Sequence, residues 1–115
     1  MHIYFIIHSQ SGSYQYKEEK LVNMQVNFFA TFRNIVGKKT VYFDLTDSIP
    51  VAKFLQAVID AFPGLKKHLV EDDGQLLPYV HLYINGHDVQ LSSEAQQTPL
   101  HSDDKIDIFP PIAGG

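Results

Sequence analysis

The sequence predicts an α+β fold in which a mixed sheet packs one face on a single main helix. Three observations predict it. Stretches of apolar–polar alternation recur at 26–32, 41–45, 80–84 and 105–109, the period-two pattern of half-buried strands. A stretch from Val51 to Phe62 instead places its apolar residues at spacings of three and four. Turn signals (Gly37, Pro63-Gly64, Asn85-Gly86 and Pro99) separate these runs.

Each element follows in order. Val26, Phe28, Ala30 and Phe32 alternate with Asn27, Phe29, Thr31 and Arg33, so Phe28 and Phe32 are expected on the inner face of a first strand. Phe29 then points the other way. Asn34–Lys39 supplies a turn in which Gly37 is available for positive φ. Val41, Phe43 and Leu45 form the inner face of a second strand, completing a hairpin. Asp47 or Ser48 is expected to cap the helix, with Pro50 in its first turn, where the missing N–H costs nothing. Val51, Phe54, Leu55, Val58, Ile59 and Phe62 make its apolar face, and Pro63-Gly64 stops it. A short second helix is expected over Leu65–Val70, ending at the acidic turn Glu71-Asp72-Asp73-Gly74. Val80, Leu82 and Ile84 make a third strand, and Asn85-Gly86 turns it into a short fourth, Asp88–Leu91. A polar crossing, Ser92–Thr98, leads through Pro99-Leu100 to the last strand, Lys105–Phe109. Strand, strand, helix and three further strands is the order of a β-grasp domain, which covers one sheet face with the helix and leaves the other available.

Upstream, residues 9–20 are polar without apolar periodicity and read as a linker, while Met24 directly precedes the first patterned strand. Three segments are therefore expected: an extension over 1–23, a β-grasp body over 24–109 and a tail over 110–115. The extension is expected to be dispensable, with translation beginning at Met24; alternatively residues 3–7 add a strand to a sheet edge or to a second copy. The run Ile3–Ile7 is a poor signal peptide, and no stretch approaches the roughly 18 apolar residues of a membrane span.

Composition narrows the function. A chain of 115 residues with 44% hydrophobic content is one globular domain with a modest core. The absence of cysteine excludes disulfide frameworks, thiolate zinc sites and cysteine nucleophiles, and fits a cytoplasmic location. A formal net charge of −4 argues against nucleic acid and anionic membrane, and favours a basic surface on a partner protein. His2, His8, His68, His81, His87 and His101 are scattered without metal-ligand spacing, so no metal is expected. The carboxylate runs Glu71-Asp72-Asp73 and Asp103-Asp104 lack apolar flanks that would tune them for acid–base work. Gly37, Gly64, Gly74 and Gly86 are isolated turn residues rather than a phosphate loop.

Chemistry is then expected at the end of the chain, Phe109-Pro110-Pro111-Ile112-Ala113-Gly114-Gly115. Two prolines end ladder pairing and stiffen the exit from the last strand. Gly114-Gly115 has no Cβ and fits a channel too narrow for side chains, with the Gly115 carboxylate as the reactive group. Phe29 and Phe109 both fall on the face away from the helix, where two aromatic rings can anchor a partner.

Residues Val26 through Gly37, Ile84-Asn85-Gly86, and Thr98-Pro99-Leu100 through Gly115 resemble the MoaD/ThiS family of ubiquitin-like sulfur carriers, which includes the molybdopterin synthase small subunit. The resemblance covers Met24–Gly115, and the last seven residues are its specific part. It implies a carrier, not an enzyme, with catalytic groups in its partners and no cofactor bound by the chain itself. It implies that a ubiquitin-activating-type adenylyltransferase uses ATP and Mg²⁺ to adenylate Gly115, and that a persulfide sulfur donor then leaves a thiocarboxylate there. The loaded tail would enter the molybdopterin synthase large subunit and give its sulfur to cyclic pyranopterin monophosphate. By the same resemblance Phe29, Phe109, Pro110, Pro111, Ile112 and Ala113 contact partners, and Gly114 accompanies Gly115 into the active site. Sulfur delivery to thiamin or tRNA, isopeptide attachment to lysines, and a plain binding module are the alternatives. Asp103 stands where the family commonly has Gly, which leaves that turn's conformation open.

Overall fold

A computed structural model describes residues 2–8, 12, 14–89 and 93–111. In chain order the elements are β1 (His2–His8), β2 (Tyr14–Phe28), α1 (Thr31–Val36), β3 (Thr40–Thr46), β4 (Ile49–Pro50), α2 (Val51–Ala61), a 3-10 turn (Pro63–Leu65) and α3 (Lys66–Leu69). They continue as β5 (His81–Ile84), β6 (His87–Asp88), α4 (Ser93–Gln96), β7 (Pro99–Leu100) and β8 (Ile106–Phe109).

Alternation along β2 organises the rest. Met24, Val26 and Phe28 are fully buried on one face, while Gln25 and Asn27 lie on the other. β3 pairs antiparallel with β2, Met24 opposite Phe43 and Val26 opposite Val41. β8 pairs parallel on its other side, Val26 opposite Ile106 and Phe28 opposite Ile108. β5 and then β6 extend the sheet beyond β8, giving the order β1-β2-β8-β5-β6 with β3 flanking β2. The central parallel pair and its antiparallel neighbours make the predicted mixed β-grasp sheet.

Helix α2 covers one face. Val51, Phe54, Leu55, Val58 and Ile59 bury its apolar stripe against Met24, Phe28, Phe43, Leu82, Ile106 and Ile108 in one core. Phe43 meets Phe54 and Phe62 edge to face, with ring centres 6.5 and 6.3 Å apart. Each fully buried large side chain contributes about 1.5–3 kcal/mol, so this face supplies most of the fold's stability.

Several boundaries differ from the sequence expectation, each for a physical reason. The first strand ends at Phe28, not Phe32. The Phe29 N–H donates to the Ile108 carbonyl, Ala30 takes φ 52° and ψ −127°, and the Phe32 N–H closes a turn on the Phe29 carbonyl. Phe32 is buried as expected, but from α1, which stops where Gly37 at φ 94° donates its N–H to the Arg33 carbonyl at 2.7 Å.

Asp47 and Ser48 do not cap α2. Ser48 lies at φ 63° in a turn, and β4 pairs with β7 (Ile49 opposite Leu100), so Pro50 becomes the extended residue before the helix. The Val51 N–H is satisfied instead by the Thr98 carbonyl at 3.0 Å. The second helix is split into a 3-10 turn and α3. The Asn85-Gly86 hairpin holds, with both residues at positive φ and Ile84 opposite His87. β6 begins one residue earlier than expected, at His87, and Gln90 and Leu91 lie outside the described residues. Asp103 is not among the described residues with positive φ. Its turn is held by the Asp104 carboxylate, which accepts from the His101 N–H and from Asn85 Nδ2, both at 2.8 Å.

The segment read as a linker carries strand. Tyr14–Lys20 pair antiparallel with β1, from His2 opposite Lys20 to His8 opposite Tyr14, and β2 runs unbroken through Met24. Residues 3–7 thus form the added strand weighed as the alternative, against the chain's own β2. The exposed Tyr4, Tyr14, Glu18 and Lys20 mark a ribbon outside the core, and such a ribbon needs no apolar alternation.

Candidate functional site

The face away from α2 is built by the residues that alternate with the core. Along β8 the core takes Ile106 and Ile108, so Asp107 and Phe109 fall on the open face. Along β5 the core takes Leu82, so His81 and Tyr83 join them. Phe29, set by the turn at Ala30, completes the group. Its ring stacks on Phe109 with centres 4.0 Å apart and planes 11° from parallel. Tyr83 meets Phe109 edge to face at 5.5 Å, and His81 stacks on Tyr83 at 6.1 Å. Lys39 Nζ lies 5.4 Å from the centre of the Phe29 ring. The Phe29–Phe109 pair expected from alternation is therefore brought together, on the open face, at the point where the chain leaves the sheet. Stacking of this kind adds about 0.5–1.5 kcal/mol beyond burial and holds both rings in place.

Beneath the rings lies a polar network. Asn27 Nδ2 donates to Asp107 Oδ1 at 2.8 Å, across the parallel β2–β8 pair. Asn27 Oδ1 accepts from Thr40 Oγ1 at 2.8 Å and from Gln25 Nε2 at 3.4 Å. Asp107 Oδ2 lies 3.7 Å from Lys105 Nζ. Asn27 and Asp107 are the buried polar residues of the described chain, and their pairing offsets the cost of taking both from water. His81, Tyr83, Gly86, Asp107 and Phe109 line an open cavity of about 420 Å³.

Sequence reasoning placed Phe29 and Phe109 here and missed His81, Tyr83, Asn27 and Asp107. The signal for Asp107 was present, since an acid between Ile106 and Ile108 must occupy the face opposite theirs. Of the other expected partner-binding residues, Pro110 is buried and Pro111 exposed directly after β8. Ile112, Ala113, Gly114 and Gly115 lie outside the described residues. Among the described residues no three or more His, Asp and Glu side chains gather as a metal site, and no helix is long and apolar enough to cross a membrane.

A ubiquitin-like β-grasp body, with aromatic rings gathered where its last strand exits, defines the class of small ubiquitin-like carrier and modifier proteins. The chain belongs to the ThiS family, whose model matches residues 26–115. It is 35% identical over 94 residues to small archaeal modifier protein 3 of Haloferax volcanii, covering 82% of this chain and all of that protein (100%). The crystal structure of small archaeal modifier protein 1 from the same organism superposes with a TM-score of 0.70 at 28% identity, over 81% of this chain and 99% of that one. A chain in the crystal structure of the Amycolatopsis orientalis BexX/CysO complex matches with a TM-score of 0.64 at 25% identity, over 80% and 99% of the two chains.

Proposed function

We propose that the chain is a sulfur carrier that acts as the small subunit of a molybdopterin synthase. The Gly115 carboxylate attacks ATP, held with Mg²⁺ by a ubiquitin-activating-type adenylyltransferase, and pyrophosphate leaves. The terminal sulfur of the donor's persulfide displaces AMP to give an acyl disulfide. A second thiol of the sulfur-donor system then attacks the donor's sulfur, leaving a thiocarboxylate at Gly115 and a disulfide on the donor. The loaded tail then gives its sulfur to cyclic pyranopterin monophosphate in the large subunit. Activation is required because a free carboxylate has no competent leaving group, and the chain itself binds no cofactor in this scheme.

The observation that carries the reading is the junction at Phe109. Stacked on Phe29 at 4.0 Å, it presents a rigid aromatic platform at the start of Pro110-Pro111, with Gly114-Gly115 four residues further along the sequence. Six extended residues span about 20 Å, enough for a partner that grips Phe29, Phe109, Pro110 and Pro111 to take Ile112 through Gly115 into a narrow site. The match to the family model through residue 115 supports the same assignment. On this reading 24–109 is the carrier body, 110–115 the reactive tail and 1–23 an N-terminal extension, and the lack of cysteine and the need for ATP suit a cytoplasmic location.

The test is intact mass spectrometry after incubation with the cognate activating enzyme, ATP, Mg²⁺ and a sulfur donor. Exchange of one oxygen for sulfur at Gly115, reversed on adding the large subunit and cyclic pyranopterin monophosphate, is expected. No ATP-dependent exchange overturns the reading; exchange without transfer to the pterin confines it to a carrier for another acceptor, such as the thiamin thiazole or tRNA. A second reading, attachment of Gly115 to lysines as a protein modifier, is favoured by the 35% identity to a small archaeal modifier protein. Its mark is a set of lysine-linked adducts in cells that vanish when Gly115 is deleted.

A further inference from the structure

Asp107 sits in an unusual place. It occupies the middle of a strand paired on both sides, among Phe109, Tyr83 and His81, and is 8% exposed. A carboxylate so placed is costly to desolvate unless it is well paired, and Asp107 is only partly paired within the chain. Asn27 occupies Oδ1 at 2.8 Å, while Oδ2 has Lys105 at 3.7 Å, beyond hydrogen-bond reach. Lys105 is itself solvated, its side chain 68% exposed, and is free to swing away. A carboxylate has about four acceptor positions, so Asp107 retains capacity for a stronger cation than its neighbour.

The surrounding rings select the cation. Phe109 and Tyr83 stand edge to face at 88°, and His81 lies within 27° of parallel to Tyr83, so three aromatic rings line the cavity together with Asp107. The face already holds one cation over a ring, Lys39 on Phe29. A planar guanidinium matches both features, stacking on an aromatic face while giving two parallel N–H bonds to a carboxylate. An ammonium does only the second, and as a point charge. Charge points the same way, since the chain carries −4 overall and draws basic surfaces.

We propose that the cavity beside Phe109 receives an arginine side chain from the protein that docks on this face, with Asp107 as its anion and Tyr83 and Phe109 as its walls. The inference rests on reading the face as a docking surface for the tail's partners. Its test uses no partner and no sulfur chemistry, so its failure is separable from failure of the carrier reading.

The experiment is a titration of the full, isotope-labelled chain with N-acetylarginine amide, followed by amide chemical shifts, beside the lysine and leucine analogues. Saturable shifts centred on Tyr83, Asp107 and Phe109 are expected with the arginine compound, and binding about fivefold weaker with lysine, the factor that roughly 1 kcal/mol of stacking supplies. Asp107→Asn should abolish the site. Because that change also touches the Asn27 bond, Lys105→Ala serves as the second variant; it removes the competing cation from an exposed position and should tighten binding about two- to fivefold. Shifts of equal size with the leucine analogue, an unaltered response in Asp107→Asn, or no saturable response in both the native chain and Lys105→Ala would overturn the proposal.

Discussion

The two faces of the central sheet come from the same strands and carry opposite kinds of information. On the α2 side, Met24, Phe28, Leu82, Ile106 and Ile108 are wholly excluded from solvent in an apolar core. On the other side the alternate residues are Asn27, His81, Tyr83, Asp107 and Phe109, a mixture of hydrogen-bonding and aromatic groups beside an open cavity. A face that existed only to be wetted would carry solvated charges, and one that existed only for stability would be covered. This one is rigid, half-apolar and uncovered in the described chain, which is the character of a surface kept for a partner. The division of labour should be visible as a division between mutations that unfold the protein and mutations that isolate it.

The largest effect is expected on the covered face. Phe54 is fully buried at the centre of α2 and meets Phe43 edge to face. Phe54→Ala should lower unfolding stability by about 3–5 kcal/mol, from lost transfer energy and the cavity left behind. Urea denaturation measures it. A loss below 1 kcal/mol would mean that the α2 face is not where the fold is held.

The next effect inverts the assay. Phe109 is only partly buried, and its stacking on Phe29 is worth about 1 kcal/mol, so Phe109→Ala should leave the chain folded. On the proposed carrier reading, affinity for the activating enzyme should fall by about 2–4 kcal/mol, the scale of an aromatic hot spot. Calorimetric titration against that enzyme, with denaturation in parallel, reads both quantities. Loss of stability without loss of affinity would assign Phe109 to the core instead.

On the open face, beneath the rings, lies the Asn27–Asp107 bond. Asn27→Ala removes the donor to Asp107 and the acceptor for Thr40, leaving buried groups without partners at a cost of about 1–3 kcal/mol. Equilibrium unfolding of this variant beside Thr40→Val would apportion the network. A negligible loss for Asn27→Ala would show that water reaches Asp107 freely.

How much of this was legible depended on the range of the interaction. The core faces of β3, β5 and β8 and the stripe of α2 were readable because alternation and the three–four spacing are local. Phe29 and Phe109 could be assigned to the open face by parity alone. The Asn27–Asp107 bond joins residues 80 apart in sequence, and no local pattern encodes it. α1 was missed because Phe28, Ala30 and Phe32 satisfy a period of two, although Phe32, Ile35 and Val36 also satisfy helical spacing and Gly37 marks a helix end. What decides between the two periods is the backbone at Ala30, and its sequence is the wrong one for the turn it makes.

That mismatch gives the smallest prediction and the most local one. Ala30 adopts φ 52° and ψ −127°, a region that suits glycine, and it is the residue at which the chain passes from Phe29 on the open face to Phe32 in the core. A Cβ in such a conformation costs of order 1–3 kcal/mol. Glycine removes that strain but adds freedom to the unfolded chain, worth about 0.5–1 kcal/mol against folding. The balance favours Ala30→Gly by about 1 kcal/mol, or roughly 4 °C in Tm for a domain of this size. Ala30→Val should move the other way, because a β-branched side chain tolerates positive φ less well than alanine. If glycine destabilises and valine does not, the turn is not strained at Ala30, and Phe29 is held by its stacking on Phe109 and its backbone bond to Ile108.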